Sequence, residues 1–219
     1  MSEYLEGIKI PSNRLEALTD GIFAIAMTIV VVTIEIPIGP IHTAELFLQT
    51  TSEIIPKLTV YFLSFLLLAV FWVDHHMFYL VKKIDFTILW INIFWLMFIA
   101  LLPLSTSIIA QFPQHQIAQL IFDFNLLFIG LFFYLIWRYS ATSKLIPKEV
   151  EPYYPYIKRS LLIMPMIILV AILLSFISPQ WSMVILFLIP FLFIAGRKIW
   201  SRGVVKKREQ RIKIKKSRK

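Results

Sequence analysis

Six long runs of apolar residues follow one another along this chain of 219 residues, separated by shorter polar stretches. Each run is close to the roughly 20 residues that an α-helix needs to cross a bilayer core. Because the runs are continuous and do not alternate in polarity, they favour helices over the strands of a membrane β-barrel. The pattern predicts six transmembrane helices, at about 16–37, 54–81, 86–110, 117–139, 157–178 and 181–200.

Basic residues occur in every second connection between these predicted helices. The connections at 37–53, 105–116 and 178–180 hold no Lys or Arg, whereas those at 82–83 and 138–159 are basic. The segment after the last helix is densely basic as well. Since loops rich in Lys and Arg stay in the cytoplasm, we predict an all-α integral membrane protein with both termini cytoplasmic. The expected localisation is the cell membrane, with multiple passes.

The composition agrees with a lipid environment and places the charge at one end. Hydrophobic residues make up 58% of the chain and charged residues 16%, against about 45–50% and about 25% in soluble domains. The segment 197–219 holds twelve of the 22 basic residues and one of the 13 acidic residues. We therefore divide the chain into a six-helix unit at 1–200 and a basic cytoplasmic tail at 201–219. A basic tail directly after a span is expected to bind anionic lipid headgroups rather than nucleic acid.

The sequence carries no motif for catalysis, for a cofactor or for a metal. It has no Gly-x-Ser-x-Gly, no His-Glu-x-x-His and no glycine-rich phosphate loop, and no cysteine for a thiolate site. The run Asp74-His75-His76 invites a metal interpretation, but adjacent side chains on a helix point about 100° apart. These three residues therefore cannot all face one ion. We expect no enzyme, no resident cofactor and no metal site.

Polar residues within the predicted helices cluster in two places. Such residues are costly in hydrocarbon and usually face the bundle interior or a water path. Glu35 and Asp123, near the outer ends of helices one and four, are interpreted instead as solvated surface residues. The cluster on or beside helix one comprises Arg14, Glu16, Thr19, Asp20, Thr28, Thr33 and Glu35, and the cluster near the cytoplasmic ends of helices two and three comprises Asp74, His75, His76 and Asn92.

Helix one carries a narrow apolar stripe along one side. Four copies of such a stripe around an axis would form a narrow apolar pore, and hydrophobic constrictions gate by dewetting. The alternative is ordinary packing, with small residues allowing a neighbouring helix to approach. Periodicity leaves both interpretations open and favours ordinary packing. At 100° per residue the stripe comprises Gly21, Ile25, Ile29 and Val32, with Thr28 flanking it and Asp20 roughly opposite.

The residues at 14–28, RLEALTDGIFAIAMT, resemble the signature of the transmembrane protein 175 family of lysosomal potassium channels and their prokaryotic relatives. That signature is Arg, three residues, then Phe-Ser-Asp. Arg14, Thr19 and Asp20 match its Arg, hydroxyl and Asp, while Leu18 stands where Phe is usual. The segments FWVDHHMF and LWINIFWLMFIALLPLST resemble the second and third helices of the family. One six-helix unit covers nearly the whole chain, as in the prokaryotic branch.

The resemblance implies a potassium channel of modest selectivity, assembled as a homotetramer with helix one lining the pore. The family lacks the TVGYG filter, which is absent here too. Potassium is then the permeant ion and not a cofactor. The family's pattern places the constriction at Ile25, further apolar layers at Ile29 and Val32, and a hydroxyl layer at Thr28. It also implies a buried polar network that ties helix one to helices two and three, formed by Arg14, Thr19, Asp20, Trp72, His75, His76 and Asn92.

Two other functions remain as alternatives. A small proton-coupled transporter would use Asp20 and the two histidines as proton carriers. Inverted repeats and glycine-broken helices are typical of such transporters, and the sequence has neither. A membrane assembly protein that works through its basic tail is the other alternative.

Overall fold

The computed structural model describes residues 12–32, 34, 44–76, 84–146 and 154–195, and every regular element in this part of the chain is an α-helix. This confirms the prediction of an all-α, strongly apolar chain. Five helices are long and apolar enough to cross a membrane, and the sixth is shorter, at 17 residues. In chain order the helices are α1 at Ser12–Val32, α2 at Ala44–His75, α3 at Phe86–Gln111, α4 at Gln116–Thr142, α5 at Tyr154–Ser175 and α6 at Pro179–Ala195.

Several predicted features lie outside the described residues. They are the basic tail at 201–219, the acidic residue Glu35, and the connection at 82–83. The ends of the predicted helices at 37, 81 and 200 lie outside them as well.

The second helix begins at Ala44, ten residues before the apolar run that predicted it. The extra turns contain several polar residues, but Thr50 and Thr51 donate their hydroxyl hydrogens to the carbonyls of Leu46 and Phe47, each at 2.8 Å. Such local bonds remove the need for water at these hydroxyls. With 32 residues, α2 is about 48 Å long. Since the hydrocarbon core is only about 30 Å thick, one end of α2 must extend beyond it.

The helices pack in a simple order around α3 and α4. α1 contacts α2 and α3, α2 contacts α3, α3 contacts α4, and α4 contacts α5. Half of each of the two central spans is buried inside the chain, compared with 28% of α1 and 29% of α5. Gly130 of α4 allows a close approach of α5, because a Cβ there would lie 3.3 Å from Cγ of Pro165. α1 is therefore attached to the bundle on one side only.

A side chain from α4 bonds to the backbone of α3 beside a proline. Pro103 has no N–H, so it removes one bond from the helical ladder. The side-chain amide of Asn125 is taken in the orientation that satisfies both of its atoms. Its nitrogen then donates to the carbonyl of Phe98 at 3.2 Å, and its oxygen accepts from the N–H of Leu102 at 3.3 Å. In that orientation its oxygen also lies 3.1 Å from Oγ of Ser105. The amide of Asn125 thus bridges the helix backbone next to the proline.

Two further hydrogen bonds join neighbouring helices. Thr106 donates to Oγ of Ser64 at 2.9 Å, which connects α3 to α2 inside the bundle. Asp85 caps the start of α3 by accepting from the N–H of Ile88 at 2.8 Å. Its second carboxylate oxygen accepts from the hydroxyl of Tyr139 on α4 at 2.8 Å. The beginning of α3 is therefore fixed to the end of α4.

Candidate functional site

The exposed face of α1 is the side on which the predicted stripe lies. Ile25 is 58% exposed in the single chain, Ile29 44% and Val32 78%. Gly21 and Thr28 are exposed as well, and a Cβ at Gly21 would have no atom within 4 Å. Together with their exposed neighbours these residues span an arc of about 160° around the helix. No described residue of the same chain covers this arc, so in this part of the structure it is left for lipid or another protein surface.

The opposite face of α1 packs into the bundle. Its buried residues recur at the three- and four-residue spacing of one helix face. Thr19 is fully buried, and its hydroxyl donates to the carbonyl of Leu15 at 2.9 Å. α1 is therefore apolar on both faces, and packing within the chain uses only one of them. The buried residues are Leu15, Thr19, Phe23, Ala26 and Val30.

Thr28 brings a polar atom to the exposed face. Its Oγ1 lies 3.0 Å from the carbonyl of Ala24 and 2.9 Å from the carbonyl of Ile25. A threonine hydroxyl has one hydrogen and two lone pairs. Because the hydrogen is directed to the helix backbone, the lone pairs remain available on the outer side. The hydroxyl thus offers an acceptor to whatever lies along this face, including a cation.

A carboxylate on the other side of α1 fixes the helix to α2. Oδ1 of Asp20 accepts from the indole N–H of Trp72 at 3.0 Å. Trp72 also contacts His76, with ring centroids 4.5 Å apart and the rings nearly perpendicular. Nδ1 of His76 lies 3.2 Å from the carbonyl of Trp72. Asp20, Trp72 and His76 therefore form one connected group at the contact between α1 and α2.

Trp95 of α3 is the centre of an aromatic cluster that joins four helices. It stacks on His75 of α2 with ring centroids 5.1 Å apart, and on Phe133 of α4 at 5.3 Å. Phe23 of α1 packs against it at 5.5 Å. Aromatic pairs at such distances add to the free energy gained by burial alone. This cluster was not predicted, because its members are far apart in sequence and each is a common residue of apolar helices.

The predicted polar network is brought together only in part. Asp20, Trp72 and His76 are connected directly, and His75 lies next to them in the aromatic cluster. Arg14 is exposed at the beginning of α1. Asn92 is fully buried, and its amide has no hydrogen-bond partner among the described residues. The assignment of Arg14 and Asn92 to one network with Asp20 therefore stays a prediction.

Asp123 does not have the solvated surface position that was predicted for it. It is fully buried on α4, as are Gln119 and Ser182. Its Oδ1 accepts from Nε2 of Gln119 at 2.7 Å, and its Oδ2 accepts from the hydroxyl of Ser182 at 2.7 Å. Gln119 also donates to Oγ of Ser182 at 3.1 Å. The prediction failed because the decisive partner, Ser182 on α6, is 59 residues away in the chain.

These features define a class of protein. It is an apolar helical membrane protein whose first helix leaves one apolar face uncovered and is anchored through a carboxylate on the other side. Among the described residues, no group of three or more His, Cys, Asp or Glu residues is arranged to hold a metal ion.

Comparison with known proteins finds similarity to one family of channels. The family model described as endosomal/lysosomal potassium channel TMEM175 matches residues 14–103. A protein of Chamaesiphon minutus named as a potassium channel is 29% identical over 188 residues, which are 83% of this chain and 93% of that protein. The endosomal/lysosomal proton channel TMEM175 of Danio rerio is 29% identical over 194 residues, which are 83% of this chain and 36% of that protein.

A solved structure has the same fold. The crystal structure of a lysosomal potassium-selective channel TMEM175 homolog from Chamaesiphon minutus superposes with a TM-score of 0.75 and 28% sequence identity. The match covers 84% of this chain and 96% of that one. The chain is thus similar to the TMEM175 family in its sequence and in its fold, and the resemblance carried by Arg14, Thr19 and Asp20 is confirmed.

The bond between Asp20 and Trp72 is testable by Trp72→Phe, which keeps an aromatic ring but removes the N–H donor. We expect the free energy of unfolding to fall by about 1 kcal/mol, because one interhelical hydrogen bond is lost. The thermal unfolding midpoint of the purified protein in detergent measures this change. Trp90→Phe is the matched control, since Trp90 is 46% exposed and packs against Phe86 and Phe94 of its own helix. Equal midpoints for the two variants would contradict the anchoring role.

The buried group around Asp123 is testable by Ser182→Ala. Loss of the hydroxyl leaves a buried carboxylate with one donor fewer, and we expect a loss of about 2 kcal/mol in the free energy of unfolding. Ser175→Ala is the control, because buried Ser175 bonds only to the carbonyl of Ile172 in its own helix. Thermal unfolding in detergent is again the measurement. A Ser182→Ala protein as stable as Ser175→Ala would show that the contact between α4 and α6 does not depend on this group.

Proposed function

We propose that this protein is a potassium channel of the cell membrane, in which four copies of the chain place the exposed face of α1 around a central pore. The observation that carries the proposal is the uncovered apolar face of α1 with the acceptor oxygen of Thr28 on it. The names of the relatives from Chamaesiphon minutus support potassium as the permeant ion.

The need for several copies follows from the way α1 is packed. In the described part of a single chain, α1 presents one uncovered wall. An uncovered arc of about 160° is wide enough for α1 to contact its counterparts and still face an axis. The Danio rerio relative matches this chain over only about a third of its own length. Its chain therefore has room for a second such unit.

The proposed pore has an apolar constriction with hydroxyls one turn beyond it. Four Ile25 side chains would form the narrowest point, and a narrow apolar segment expels water and blocks ions. Ile29 and Val32 would add apolar layers on the outer side. Four Thr28 oxygens would replace part of the water shell of a cation. Because hydroxyls are few compared with the stacked carbonyls of a dedicated filter, the preference for potassium should be modest.

The proposed topology has six spans with both ends in the cytoplasm. The alternation of basic and non-basic connections supports it. The described part of α6 is about 26 Å long, slightly shorter than the hydrocarbon core of about 30 Å. Membranes accommodate such a difference by local thinning at modest cost. The basic tail at 201–219 would then lie against the anionic lipids of the cytoplasmic surface.

Potassium efflux from liposomes tests the function. Vesicles containing the purified protein and potassium are diluted into a buffer of the impermeant cation N-methyl-D-glucamine with a proton-sensitive dye and a protonophore. We expect passive potassium efflux, and slower flux when sodium replaces potassium inside. Flux that saturates and requires a proton gradient would support a transporter and overturn the channel.

Proton conduction is the second candidate, because the Danio rerio relative is named a proton channel. The same vesicles distinguish it when valinomycin replaces the protonophore, since dye quenching then reports protons that cross through the protein. Quenching under this condition and no potassium efflux in the first assay would replace potassium by protons as the permeant ion.

The constriction is tested by Ile25→Asn. A polar side chain favours water in the narrow segment, so we expect potassium flux to rise several-fold. Leu169→Asn on α5 is the control, because Leu169 is 42% exposed on a helix remote from α1. If potassium flux is unchanged in Ile25→Asn while size-exclusion chromatography shows an intact tetramer, Ile25 does not form the gate.

The role of the hydroxyl is tested by Thr28→Val, which keeps the shape and removes the oxygen. We expect potassium to pass but the potassium-to-sodium flux ratio to fall toward one. Thr59→Val is the matched control, because Thr59 of α2 makes the same kind of bond, to the carbonyl of Ile55 at 2.9 Å. A flux ratio that is the same in both variants would contradict ion contact at Thr28.

A further inference from the structure

A groove runs along the outside of the bundle between α5 and α6. Its volume is about 460 Å³, within the range of about 300–1,000 Å³ that ligand sites occupy. Its wall is apolar along its length, and Arg159 lines it at one end. The principal apolar side chains are Leu162, Ile163, Met166 and Val170 from α5, and Ile185 and Leu188 from α6.

The groove lies on the side of the chain remote from α1. The main contacts of α1 are with α2 and α3, whereas the main contact of α5 is with α4. α6 is joined to α4 through the bond between Ser182 and Asp123. When α1 faces the axis of an assembly, α5 and α6 lie at its periphery. The groove therefore faces the lipid bilayer.

The length of the groove corresponds to one leaflet. From Arg159 to Val170 the rise along α5 is about 17 Å. One half of the hydrocarbon core is about 15 Å thick. The apolar wall thus extends over the depth of one acyl chain, with the charged group at the level of the headgroups. An antiparallel partner helix, α6, supplies the second wall through Ile185 and Leu188.

We propose that the groove between α5 and α6 binds an acyl chain of an anionic phospholipid of the cytoplasmic leaflet, with Arg159 holding its phosphate. The choice of leaflet rests on the proposed topology, which places the basic connection before α5 in the cytoplasm. Arg159 matches a phosphate in charge and in geometry, because its guanidinium donates two parallel hydrogen bonds. A zwitterionic lipid offers the same chain but a headgroup whose own cation competes with Arg159. The site should therefore prefer phosphatidylglycerol over phosphatidylcholine.

The charged end is tested with Arg159→Gln and the control Lys158→Gln. Lys158 is exposed on the preceding position of α5 and does not line the groove. Full-length protein in detergent is titrated with phosphatidylglycerol or phosphatidylcholine of equal chain length, and bound lipids are counted by native mass spectrometry. We expect Arg159→Gln to weaken phosphatidylglycerol binding about fivefold and Lys158→Gln to leave it nearly unchanged. Equal effects of the two substitutions would mean that phosphatidylglycerol is attracted to basic residues in general. That result would overturn the proposed lipid site.

The apolar end is tested with Val170→Trp and the control Leu169→Trp. The two residues are adjacent and equally exposed, at 45% and 42%, but only Val170 lines the groove. We expect Val170→Trp to fill the groove and abolish tight lipid binding, while Leu169→Trp binds like the wild type. Equal binding by both variants would overturn the proposal. Loss of the native oligomer only in Val170→Trp would overturn it as well, since a second copy of the chain would then occupy the groove.

These measurements are independent of ion conduction. The readout is the number and affinity of bound lipids, so a protein that conducts no potassium leaves the result intact. Each variant is first compared with the wild type by size-exclusion chromatography. A variant that elutes as aggregate is replaced by Arg159→Lys or Val170→Phe. These smaller changes should weaken phosphatidylglycerol binding less, and binding equal to that of the matched controls would again overturn the site.

Discussion

The hydrocarbon solvent offers no hydrogen bonds, and the polar side chains of this bundle are arranged under that constraint. Asn125 bridges the backbone of α3 beside Pro103, Asp123 accepts from side chains of two helices, and Asp20 accepts from Trp72. Each of these groups joins one helix to another. Polar residues therefore specify which helices are neighbours, while the far more numerous apolar contacts distinguish poorly between one helix surface and another.

The first helix departs from this arrangement on one face. Its buried side is fixed by Asp20 and by packing of Phe23 on Trp95. From Gly21 onward its other side is apolar apart from Thr28, and no described residue of the chain covers it. Helical periodicity found this stripe in the sequence, because a spacing of three and four residues is a local property. Periodicity could not identify what covers the stripe, since lipid and a neighbouring helix demand the same apolar residues.

The helices could be predicted from the sequence because long apolar runs and their flanking charges are local signals. The polar contacts between helices were harder. Asp123 was assigned to the surface because it lies near a helix end, whereas its burial depends on Ser182 in a helix much later in the chain. A partial signal existed, since Gln119 is four residues before Asp123 and lies on the same helix face. The early start of α2 was missed because Thr50 and Thr51 have polar side chains, which interrupt the apolar run. Their hydroxyls bond to carbonyls of their own helix, so the helix continues through them.

The hydrogen bond from Thr28 to the carbonyl of Ile25 has a mechanical consequence. It makes the hydroxyl part of the same rigid turn as the apolar side chain one turn below it. In the proposed channel, any rotation of α1 that withdraws Ile25 from the axis also turns Thr28 through the same angle. Opening and ion coordination then cannot change separately. A partly open pore would differ from a fully open one in its preference among ions as well as in its width.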